Sequence, residues 1–174
     1  MTRFLLLTLT LSALVLAACG LSDHDLLAGP SAVQHLVDGR PVELKGSLAG
    51  FQSPPYSQRF DMVLTGRRSS YRISEKEPVF FSPYPGSEII LFRMEAGVEK
   101  DDRNIKGRTA DGKLALSRER AVDLSVEREA NGLFRVTPRG PLAPGEYAFV
   151  SQVDMDLWLK KSPFRMRVFD FGVD

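Results

Sequence analysis

Apolar and polar residues alternate with a period of two along most of the chain beyond residue 40. Val42, Leu44 and Leu48 begin the pattern, and Gly50-Phe51-Gln52-Ser53-Pro54-Pro55 interrupts it. Phe60, Met62 and Leu64 alternate next and stop at Gly66. Tyr71-Arg72-Ile73 and Val79-Phe80-Phe81 flank a polar Ser74-Glu75-Lys76-Glu77-Pro78. From Ile89 to Met94 both faces are apolar, which predicts a central strand covered on both sides. Between Glu95 and about Ser117 the composition shifts to Lys, Asp, Arg, Asn and Gly. Mixed charge there predicts a solvated loop or edge ribbon, with weak strands near Ile105 and Leu114-Ala115-Leu116. Val122, Leu124 and Val126 then read as one half-buried strand. Asn131-Gly132 is a hairpin signal, and Phe134 and Val136 point inward on the return. Phe164, Met166 and Val168 lead the last strand into Phe169-Asp170-Phe171-Gly172. Roughly eight to ten short strands separated by turn signals predict an all-β, antiparallel sandwich.

The stretch around which these strands are organised is Leu142-Ala143-Pro144-Gly145-Glu146-Tyr147-Ala148-Phe149-Val150. Pro144-Gly145 is a turn signal, and Tyr147 and Phe149 alternate with Ala148 and Val150 behind it. Leu-x-Pro-Gly-x-Tyr followed by a strand resembles the tyrosine corner of immunoglobulin-like sandwiches. The resemblance implies that Tyr147 opens the penultimate strand and that its hydroxyl ties back to upstream backbone. It also implies that roughly 133–137, 146–151 and 164–171 are the last three strands of an immunoglobulin-like fold.

Ahead of the domain, Arg3 precedes an apolar run from Phe4 to Val15, too short to span a bilayer comfortably. Leu16-Ala17-Ala18-Cys19 follows and resembles the lipobox of bacterial lipoproteins. That resemblance implies lipidation of Cys19, cleavage before it, and acylation of the new amine, because several acyl chains are needed for stable anchoring. The alternative is an ordinary secretory signal cut after Ala18. Gly20 and Leu21 follow the cysteine, with no aspartate of the kind that retains lipoproteins at the inner membrane, so the expected address is an outer-membrane anchor facing the periplasm. The implied organisation is a signal peptide over 1–18, a lipidated tether over 19–40 and a sandwich over 41–174. Within the tether, Pro30-Ser31 opens a possible helix with Val33, Leu36 and Val37 on one face and Gly39 at its end. A plain linker is the other reading.

Charge narrows the function classes. The chain has 23 Lys and Arg against 22 Asp and Glu, and loss of Arg3 would leave equal numbers, so phosphate-neutralising nucleic-acid binding is disfavoured. Cys19 is the only cysteine, which leaves the domain to its hydrophobic core without a disulfide. The two histidines, His24 and His35, fall in or beside the tether, so no histidine base is expected in the domain. Gly46-Ser47-Leu48-Ala49-Gly50 has its serine one position early for a nucleophile motif. Asp23-His24-Asp25, Asp101-Asp102 with Asn104, and Asp154 with Asp156 carry possible metal ligands in no complete pattern, so neither metal nor cofactor is expected.

The remaining candidate is a surface. Ser151 to Pro163 joins the last two strands and contains Leu157, Trp158, Leu159, Lys160 and Lys161. Trp158, with Leu157, Lys160 and Lys161, is the candidate contact with an envelope protein, since tryptophan concentrates contact area; capping the end of the core is the structural alternative. Phe80-Phe81-Ser82-Pro83-Tyr84-Pro85 is a second aromatic stretch with the same two readings. Phe134 to Pro138, Gly145 to Phe149 and Val168 to Val173 together resemble the C-terminal third of uncharacterised exported bacterial proteins, a resemblance that implies no activity. The expectation is a non-catalytic, lipid-anchored binding or structural module of the cell envelope. Its alternatives are glycan or peptidoglycan recognition through Trp158 with Tyr84 or Tyr56, and a hydrolase using Asp154 and Asp156.

Overall fold

The structure is a computed structural model that describes residues 33–97, 101–110, 113–152, 155 and 165–174. The expected all-β, antiparallel, sandwich-like architecture is present. The strands are β1 (Gln34–Val37), β2 (Arg40–Glu43), β3 (Gly46–Gln52), β4 (Arg59–Thr65), β5 (Arg72–Ile73), β6 (Phe80–Ser82), β7 (Ile89–Arg93) and β8 (Glu95–Ala96). They continue with β9 (Asp102–Ala110), β10 (Lys113–Leu116), β11 (Ala121–Val122), β12 (Leu124–Arg128), β13 (Phe134–Pro138), β14 (Gly145–Ser151) and β15 (Arg165–Val173). A smaller sheet runs β12-β13-β6-β1-β2, and a larger one runs β10-β9-β4-β3-β15-β14-β7-β11. All pairings are antiparallel except β5 with β15.

The larger sheet closes on itself. β8 continues β7 after Met94 and pairs with β9, so β9, β4, β3, β15, β14 and β7–β8 form a ring. Its interior is one cluster drawn from all six members, including Ala49, Met62, Leu64, Phe92, Met94, Ile105, Ala148, Val150, Met166 and Val168. The opposite faces of β7, β14 and β15 pack on the smaller sheet. There Ile89, Leu91, Tyr147, Phe149, Phe169, Phe171 and Val173 meet Val33, Leu44, Phe80 and Val136. Ile89–Met94 therefore sorts its residues onto two cores, as its two-sided apolar pattern predicts. Small residues let the ring close: a Cβ on Gly107 would lie 2.2 Å from Phe60 Cζ.

Three stretches differ from the sequence expectation. In place of the helix or tether, residues 33–40 belong to a β-hairpin whose β1 pairs with both β2 and β6, so the smaller sheet includes residues ahead of 41. Asp38 and Gly39, at φ of 49° and 77°, form its two-residue turn, matching strand twist as a type I′ turn does. The charged 95–117 segment carries the expected strands near Ile105 and Leu114-Ala115-Leu116 as β9 and β10. β9, however, is a nine-residue wall strand of the ring, paired with β4 from Arg59 to Thr65, and not a solvated loop or edge ribbon. Finally, the single strand over 122–126 is split. β11 pairs with β7 in the larger sheet and β12 with β13 in the smaller, and Arg139 N–H binds the Asp123 carbonyl at the crossing. β3 also runs through Phe51 and Gln52, so the turn starts only at Ser53.

Candidate functional site

The tyrosine corner forms as expected. The Tyr147 hydroxyl donates to the Ala143 carbonyl at 2.7 Å, and its ring stacks on Phe171 across the β14–β15 pair, with centroids 5.5 Å apart. Burial pushes the Tyr147 phenol up from its ordinary value, opposed by the Arg93 charge. Gly145 opens β14, and Arg93 lies over it and donates from Nη2 to the Pro144 carbonyl at 3.0 Å.

Neighbouring residues of the same motifs build a charged plug at one end of the ring. Register sets the geometry. Glu146 shares a face with Ala148 and Val150, Asp170 follows Met166 and Val168 inward, and Arg103 sits opposite Leu64 beside Ile105. Arg103 Nη1 donates to Asp170 Oδ2 at 2.8 Å and to Glu146 Oε2 at 3.2 Å, while its Nε donates to the Gly66 carbonyl at 2.8 Å. Arg72 Nη1 reaches Glu146 Oε1 at 2.5 Å, the Ser69 amide binds Oε2 at 2.7 Å, and Ser47 Oγ donates to Asp170 Oδ1. All four carboxylate oxygens are thus engaged. Two guanidinium groups face these two carboxylates, and the Arg103 and Asp170 side chains are only 4% and 5% exposed.

Gly172 completes the plug, because a Cβ there would lie 1.6 Å from Arg72 Nη1. Arg72 also grips Asp174 at 2.6 Å. That hydrogen bond holds the Asp174 carboxyl below its ordinary value, and the same bond raises the Arg72 guanidinium, with Glu146 adding to it. Phe-Asp-Phe-Gly therefore places two rings between the sheets, one carboxylate in the plug and one bare backbone position under an arginine.

This arrangement ties β3, β9, β14 and β15 together through side-chain bonds at one end of the ring. The Ser47 hydroxyl donates to Asp170 Oδ1, and Arg103 holds the other oxygen of that carboxylate.

His35 corrects a further expectation. It is not in a tether but in β1, 2% exposed, with Nδ1 3.1 Å from the Tyr71 hydroxyl and its ring 5.3 Å from that of Phe80. Its Nε2 has no partner among the described residues. Burial lowers the imidazole pKa from its ordinary value, against a weaker upward pull from Glu75, and burial raises the Tyr71 phenol. His35 is thus enclosed, while Tyr71 is only half-buried.

The remaining candidates separate clearly. Cys19, Leu157, Trp158, Lys160 and Lys161 lie outside the described residues, as do Asp23, His24, Asp25, Asp154 and Asp156. Asp101 pairs with Arg67 at 2.8 Å on the surface, and no group of three or more His, Cys, Asp or Glu gathers as a metal site among the described residues. Phe80 is a core ring, and the Tyr84 hydroxyl accepts from Arg167 Nη2 at 3.2 Å. Tyr56 is fully exposed, at φ of 60°, in a turn pinned by Ser53 Oγ donating to the Arg59 carbonyl at 2.8 Å. Among the described residues no helix is long and apolar enough to cross a membrane. Comparison with protein-family models, curated proteins and solved structures finds no match to this chain.

Proposed function

We propose that the protein is a lipid-anchored module of the bacterial cell envelope, immunoglobulin-like in strand order, that binds or braces a partner protein without catalysing a reaction. The observation that carries the anchor is Leu16-Ala17-Ala18-Cys19 directly behind the Phe4–Val15 apolar run. The plug supports the non-catalytic part of the reading, since Glu146 and Asp170 are committed to Arg72, Arg103, Ser47 and the Ser69 amide. An outer-membrane position facing the periplasm follows from Gly20 and Leu21 after the cysteine. The contact surface on this reading is the β14–β15 connection with Leu157, Trp158, Lys160 and Lys161.

A second reading, glycan binding, is favoured by one observation, the exposed Tyr56 ring held outward by its turn. Stacking on a sugar face would use that ring.

Mass spectrometry of the full chain expressed in a bacterial host tests the anchor. Cleavage before Cys19 with acylation is expected, and Cys19→Ser should abolish both. A mature chain with an unmodified Cys19 thiol would overturn it. Mild crosslinking and pull-down of the wild type beside folded Trp158→Ala tests the partner, whose recovery should depend on Trp158.

A further inference from the structure

A concavity apart from the plug lies beside the tyrosine corner. It is an open groove of about 360 Å³ with the buried Leu142 and half-buried Val122 as its floor, the exposed Pro141 beside them, and Arg93, Asp123 and Arg139 on its exposed rim. Its volume and apolar floor suit a small organic group, since ligand sites are concave, mainly apolar and punctuated by a few placed polar groups. The floor is firm: Leu142 is 4% exposed and packs in the core between the sheets.

Each arginine is anchored by one main-chain carbonyl. Arg93 Nη2 donates to Pro144 at 3.0 Å, and Arg139 Nε donates to Leu124 at 3.2 Å. Neither enters the ion pairs of the described residues, which belong to Arg67, Arg72, Arg103, Lys106 and Arg120. A guanidinium has five N–H donors, so each of these two keeps donors for a ligand while the carbonyl contact restrains its position. With Asp123 on the same rim, the groove carries a formal charge of +1, which suits a monoanion better than a dianionic phosphate.

We infer that this groove binds a carboxylate carried on an apolar body, with Arg93 and Arg139 on the carboxylate and the apolar part on Val122, Pro141 and Leu142. An acidic residue within an apolar peptide and a small aliphatic acid share this chemistry. The inference rests on the binding-module reading and gives it a second surface, independent of Trp158 and of Cys19.

The test is titration calorimetry on the full chain in detergent. The probes are a blocked Leu-Asp-Leu-Asp peptide, its Leu-Asn-Leu-Asn counterpart, and hexanoate. Saturable binding of the acidic peptide is expected, with the neutral peptide and the Arg93→Gln and Arg139→Gln variants each about tenfold weaker, as loss of one charge-assisted contact implies. Asp123→Asn should bind more tightly, and it leaves both arginines in place should their variants unfold. Binding of hexanoate as well assigns the site to small acids, and its absence assigns it to peptides. No saturable carboxylate binding, or equal binding of the neutral peptide, overturns the inference. Loss of lipidation in Cys19→Ser with binding retained would separate failure of the anchor from failure of the groove.

Discussion

Between the two sheets, Phe80, Phe149 and Phe171 pack ring against ring with centroids 4.9 to 5.9 Å apart, and Tyr147 extends the stack. At the end of the strand ring, the same two strands, β14 and β15, turn Glu146 and Asp170 onto Arg103 and Arg72. One region excludes water with apolar surface and the other with neutralised charge. The apolar core tolerates conservative replacement, because shape and volume are its main requirements. The plug does not, because removing one ion leaves the others buried and uncompensated. At this end of the ring the ionisable side chains are engaged with one another.

The largest effect that would sharpen this contrast is expected from Arg103→Met. It strands Asp170 and should cost about 3–5 kcal/mol of unfolding free energy in urea, the range for breaking a buried pair. Phe80→Ala should cost a similar ~3–5 kcal/mol by opening a cavity, whereas Phe80→Leu should lose much less. That tolerance should have no counterpart in Arg103→Lys, which loses the forked geometry that reaches Asp170, Glu146 and Gly66 together. Gly107→Ala should cost about 1–3 kcal/mol by overpacking against Phe60, read as a lowered urea midpoint with an unchanged slope. Tyr147→Phe removes only the bond to Ala143 and should cost about 1 kcal/mol.

The smallest effect concerns pH and His35. Its folded pKa lies below the ordinary value of about 6.5, so between those two values the unfolded chain binds a proton that the folded chain does not. The His35 contribution is therefore complete above about pH 6.5 and declines as pH falls toward the folded pKa. Tyr71, raised from its ordinary value of about 10, acts at the other end, and its contribution declines as pH rises above about 10. Thermal unfolding of His35→Phe, measured beside the wild type, should remove the acid-side decline attributable to this residue and leave the alkaline one.

Much of the sandwich was legible because period-two alternation is a local signal. Phe60-Met62-Leu64, the two-sided Ile89–Met94 run and the tyrosine corner each stated their burial within a few residues. The β1–β2 hairpin was missed because Val33, Leu36 and Val37 also have helical spacing, yet Asp38-Gly39 between short extended runs was a turn signal that decides for strands. The pattern gives β9 only as a weak strand near Ile105, and its place in the wall of the ring escapes for a deeper reason. Arg103 looks like a solvated residue, and its burial makes sense only through partners 43 and 67 positions away. No local pattern encodes such a pair. Glu146, Asp170 and Gly172 stood within motifs that drew attention, but their shared role needed the strand order, which places β14 beside β15 and Arg72 over Gly172.

The plug is tested most directly by a double-mutant cycle on Arg103 and Asp170, using Arg103→Met, Asp170→Leu and the combined variant in urea unfolding. If the two charges hold the ring end together as a pair, the double variant should lose less stability than the sum of the two single losses, with a coupling of about 1–3 kcal/mol. Additive losses, with coupling near zero, would contradict it.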